Sequence, residues 1–85
     1  KQTLEMKTLF KKGDKVKITD LKKCYTDEGE VFSASSKEVG IKITQSPTQG
    51  AVGMEVRFGM RDGVWKYLNG NTYSKRDSGY SIAKI

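Results

Sequence analysis

The sequence predicts an all-β domain, a small barrel of five or six short strands, and three observations lead there. Apolar and polar residues alternate with period two over 15–19, 39–44 and 54–60, the mark of strands with one buried face. Turn dipeptides, above all Asp62-Gly63 and Asn69-Gly70, divide the chain as β-hairpins do. No segment holds a helical period over a useful length, and the one helical candidate is residues 3–11.

Taken in order, Lys1 to Glu5 precede a Met at position 6 and are read as a remnant ahead of a single domain over 6–85. Gly13-Asp14 is a turn signal. It launches Lys15-Val16-Lys17-Ile18-Thr19, with Val16 and Ile18 on one face and both lysines on the other. Residues 21–29 show mixed polarity and no period, and so read as a long loop carrying Cys24, Tyr25, Asp27 and Glu28. A second strand starts at Gly29-Glu30-Val31-Phe32, and residues 33–37 form a turn.

Val39, Ile41 and Ile43 alternate with Gly40, Lys42 and Thr44 in a third strand. Residues 45–53 hold the single Pro and no period, hence a loop. In the fourth strand Glu55 and Arg57 face away from Met54, Val56 and Phe58. Asp62-Gly63 then turns the chain into Val64-Trp65-Lys66-Tyr67-Leu68, because this dipeptide tolerates the positive φ of a tight hairpin. Asn69-Gly70 leads into residues 71–74, and Tyr80 to Ile85 form the closing strand. Rolling one such sheet buries its apolar face and hides its edges. The expected architecture is therefore a small SH3-like barrel, or alternatively an OB-like one.

Composition excludes several functions. An 85-residue chain supports one small core. One Cys and no His leave no intramolecular disulfide, no structural zinc site and no Cys–His or Ser–His pair. No apolar run approaches the roughly 18 residues of a membrane span, and no signal-peptide pattern opens the chain. A reducing, cytoplasmic location is expected. Cys24 has no evident base beside it. Asp27, Glu28 and Glu30 lack the oxygen-ligand spacing of an EF-hand and read as a solvated acidic loop. Phosphate-binding glycine loops and dinucleotide fingerprints are also missing. The expectation is a non-enzyme with no cofactor, no metal and no small-molecule substrate.

Charge points to binding. The formal net charge is +6, and it is distributed as basic ends around an acidic middle. Residues 1–23 carry +5, residues 24–56 carry −3 and residues 57–85 carry +4. If the ends meet in space, their cations form one face that attracts phosphate or an acidic protein. The candidate nucleic-acid contacts are Lys15, Lys17, Lys42, Arg57, Arg61 and Lys66, with Tyr67 as a stacking residue. Trp65 shares the face of Tyr67, and reads either as a second platform or as core. Tyr25, Tyr73 and Tyr80 fall in loops or at strand edges. RNA or DNA stands ahead of the alternative, a protein-interaction module (an inhibitor or adaptor) docking on an acidic partner.

Residues 10–18, Phe-Lys-Lys-Gly-Asp-Lys-Val-Lys-Ile, followed by Gly29-Glu30-Val31, resemble the opening of KOW and Tudor-like SH3 barrels. The resemblance implies a barrel whose second glycine lets the next strand bend, and a module that binds RNA or protein. The turn-rich C-terminal half is similar to small phage and mobile-element accessory proteins, a likeness that implies no particular function.

Overall fold

The structure, a computed structural model, describes residues 10–22, 25–48, 50–61, 63–69, 72–73 and 79–85. Its strands are β1 (Lys15–Asp20), β2 (Thr26–Ala34), β3 (Glu38–Gln45), β4 (Glu55–Arg61), β5 (Val64–Asn69), β6 (Thr72–Tyr73) and β7 (Tyr80–Lys84). Hydrogen bonding runs β4-β3-β2-β1-β7-β5-β6, and β4 also pairs with β5. Six antiparallel strands thus close on themselves, while β6 hangs on β5 as a short hairpin. The ring follows chain order, a meander, rather than the Greek key of an OB-fold. Residues 3–11 were the helical candidate. Residues 3–9 lie outside the described residues, and Phe10 and Lys11 are not helical.

Alternation becomes the core directly. Val16 and Ile18, Val31, then Val39, Ile41 and Ile43 point into the barrel, joined by Phe58 and Trp65. Each such side chain contributes roughly 1.5–3 kcal/mol when fully buried. Phe10 closes one end, its ring 6.0 Å from that of Trp65. At the closure Trp65 pairs with Tyr80, and Tyr80 meets Phe58 edge-on at 5.0 Å, a favourable aromatic geometry.

The long loop expected over 21–29 is corrected by the pairing. β2 already begins at Thr26, with Asp27 opposite Ile18 and Glu28 opposite Lys17. It also runs on to Ala34, so the following turn shrinks to 35–37, where the Ser35 hydroxyl accepts from the Glu38 N–H at 3.1 Å. The physical reason is bulging. The register of β2 with β3 shifts between Glu28 and Gly29 and again between Val31 and Ser33, and each bulge resets the period of two. A strand with two resets shows no alternation along its whole length.

Gly29 is required where β2 bends. A Cβ there would collide with Cγ2 of Ile41 and lie 2.6 Å from the Lys42 carbonyl oxygen. Before β1, the Lys11 N–H donates to Oδ2 of Asp14 at 2.8 Å, and the Gly13 N–H donates to the Val31 carbonyl at 2.8 Å. The Gly-Asp turn is thereby fastened to β2. Gly13 supplies the positive φ of 97° that this turn needs.

Candidate nucleic-acid interface

The two basic ends do meet, because β1 pairs with β7. Among the described residues they do not make a basic face there. Lys84 turns to Asp14, with Nζ 3.5 Å from Oδ2. Lys15 and Lys42 are exposed, yet each is interleaved with acids. Lys15 stands opposite Glu30, Glu30 opposite Lys42, and Lys42 opposite Glu55. A row of alternating sign therefore crosses β1 to β4, and all four residues are exposed. One step along, exposed Lys17 stands opposite Glu28. Direct cross-strand neighbours have Cβ atoms about 5 Å apart, closer than the roughly 8 Å over which physiological salt screens charge. A phosphate on this row meets both signs at once.

The outer face of β4 and β5 differs. Arg57 and Arg61 flank Gly59 along β4, and Lys66 stands directly opposite Gly59 on β5. Three of the candidate cations thus surround one residue that has no side chain. Glu38, half-buried, is the partner of Gly59 on the other side. The Lys37 carbonyl accepts from the Met60 N–H at 3.0 Å, which brings a fourth cation close to the end of β4. Leu68, opposite Arg57, is buried outside the main apolar cluster.

The aromatic candidates divide by face. Trp65 is core, 7% exposed. Tyr67 pairs with Phe58 and points inward, its ring 6.1 Å from that of Phe58 in an edge-on arrangement. Neither forms a stacking platform on the outer surface. Tyr80 is half-buried against Phe58, whereas Tyr25 is 60% exposed. Phe32, half-buried, is a further aromatic on the outer face among the described residues. It lies over Gly40, where an added Cβ would sit 2.7 Å from Cζ of the ring. Gly40 in turn is the cross-strand partner of Arg57. Phe32 also lines an open groove of about 420 Å³ with Lys12, Glu30, Lys42 and Thr44. Parity could not have found it, because Phe32 sits in the bulge between Val31 and Ser33, where the period of two is reset.

Glu38, opposite Gly59, and Glu55, two residues before Arg57 on β4, border this surface; other acids lie elsewhere. Asp27 and Glu28 lie on β2 and not in a loop. Asp20 and Asp27 line a cavity of about 240 Å³ at the barrel mouth together with Tyr25, Thr48 and Tyr80. Among the described residues no group of three or more potential ligands could hold a metal ion. The Asp14 carboxyl is shifted by its neighbours. The backbone hydrogen bond from Lys11 holds it below its ordinary value, and the Lys84 charge adds to this. No helix among the described residues is long and apolar enough to cross a membrane. Cys24 lies outside the described residues.

Comparison with known proteins finds no matching protein-family model, no matching curated protein and no matching solved structure.

Proposed function

We propose that the protein is a small, non-catalytic, cytoplasmic module that holds a nucleic-acid strand by its phosphates. The contact is assigned to the outer face of β4 and β5. The observation that carries this reading is the grouping of Arg57, Arg61 and Lys66 about Gly59. Long cationic side chains grouped at one position offer several donors to a single phosphate. Lys15, Lys17 and Lys42, each opposite an acid, are assigned no major part. The KOW-like opening of the chain adds weight to this reading.

The test is fluorescence anisotropy with labelled single-stranded RNA and DNA, titrated across salt. Neutralising three phosphates predicts a log–log salt slope of about −2. The triple substitution Arg57→Ala, Arg61→Ala, Lys66→Ala should flatten the slope to near zero. Absence of binding to either nucleic acid at about 50 mM salt overturns the reading.

A second reading rests on a different surface. Leu21, Tyr25, Val52 and Met54 are 48%, 60%, 56% and 50% exposed. They belong to the β1–β2 and β3–β4 connections, which lie at the same end of the barrel. Exposed large apolar groups at one end suit a protein partner. A nuclease-treated pull-down should then recover one stoichiometric protein, lost with Tyr25→Ser combined with Val52→Ser. Retention by that double variant excludes this surface.

A further inference from the structure

Resting on the nucleic-acid reading above, we infer that Phe32 is a stacking platform for an unpaired base, so that the ligand is single-stranded. The ring lies on Gly40, whose hydrogen leaves space that any side chain would take. Gly40 connects the ring to the cationic group, because its partner on the next strand is Arg57. A path therefore runs from Lys66 and Arg57 over Gly40 to Phe32, crossing four adjacent strands of the sheet, β5, β4, β3 and β2.

The groove at the end of that path has the chemistry of a base site and not of a phosphate site. It is open, about 420 Å³, and combines the Phe32 ring and the Thr44 side chain with Lys12, Lys42 and Glu30. Glu30 would repel a phosphate placed beside it, and it accepts hydrogen bonds from the amino edge of a base. Lys12 and Lys42 are exposed at its rim, but Lys42 stands between Glu30 and Glu55, so the phosphates are left to the Arg57 group. An aromatic face flanked by lysines accepts every base, since each has a π-surface. A duplex does not offer an unstacked base to such a surface.

The experiment compares labelled oligonucleotides of one length with the intact protein: single-stranded, duplex, and single-stranded with abasic positions throughout. Wild-type protein should bind the single strand about tenfold more tightly than the abasic strand, and prefer it to duplex. Phe32→Leu keeps an apolar cover over Gly40 but has no π-face, and should lose that preference while binding the abasic strand as wild type does. Phe32→Tyr should retain it. Arg57→Ala should weaken binding to the base-containing and abasic strands in parallel. Trp65 emission reports that each variant is folded.

Equal affinity of the wild type for the base-containing and abasic strands overturns the stacking role and leaves phosphate binding standing. A Phe32→Leu variant that keeps the tenfold preference does the same. If the wild type binds none of the probes at low salt, the nucleic-acid reading and this inference fall together.

Discussion

Nζ of Lys84 lies 3.5 Å from Oδ2 of Asp14, so the last residue of β7 is tied to the turn that launches β1. The same carboxyl accepts from the Lys11 N–H. Both partners favour its charged form, and its pKa is lowered. A lowered carboxyl pKa contributes stability above the unfolded value of about 3.9, and the contribution disappears as pH falls through the folded value. Asp14→Asn should therefore melt at a lower temperature than wild type at pH 7. The difference should shrink below pH of about 4, as read by thermal melts across pH.

Gly29→Ala should destabilise the barrel by about 2 kcal/mol or more. The added methyl meets the Lys42 carbonyl as well as Ile41. Trimming Ile41 to Ala therefore does not restore stability, since the backbone contact remains. Denaturant midpoints of the single and double variants check this.

Tyr67→Ala should cost about 2–3 kcal/mol, because its ring packs on Phe58 inside the barrel. It should leave the nucleic-acid affinity of the folded protein unchanged. A drop in affinity without a drop in stability would place Tyr67 at the interface and contradict the inward orientation.

Lys17→Ala and Arg57→Ala should differ in binding. Lys17 has Glu28 opposite it, whereas Arg57 has Gly40 and Leu68. Arg57→Ala should lower the magnitude of the salt slope by about 0.7, and Lys17→Ala should barely alter it. Anisotropy titrations at several salt concentrations separate the two.

Reversing one sign in the alternating row tests its energetics. Lys42→Glu places like charges opposite both Glu30 and Glu55 and should destabilise by about 1 kcal/mol. Adding Glu30→Lys should recover part of that loss. The recovery should diminish in high salt, as measured by a double-mutant cycle in urea.

Much of the barrel was legible because local rules agreed with the fold. Val16 with Ile18, and Val39 with Ile41 and Ile43, alternate in sequence and are buried in fact. Arg61 pairs with Val64 across a tight turn in which Gly63 has a φ of 82°, as the Asp-Gly dipeptide suggests. Residues 26–28 were not legible, because bulges break the period that a strand would otherwise show. The candidate cations were legible only as outward-facing residues. Whether each had an acid or a glycine across from it depended on strand pairing and register.

The sequence by itself determined the fold class, a small β-barrel, through its apolar alternation and glycine turns. Only the tertiary structure decided which charged and aromatic residues stand side by side. Period two fixes the face of a residue within one strand, but its neighbours come from strands distant in the chain. Register set Lys15 and Lys42 against Glu30, and it brought Arg57, Arg61 and Lys66 around Gly59. Barrel closure turned Trp65 and Tyr67 inward, while Phe32 lies over Gly40. Charge and aromatic content are sums along a chain, whereas a binding face is made by adjacency across strands.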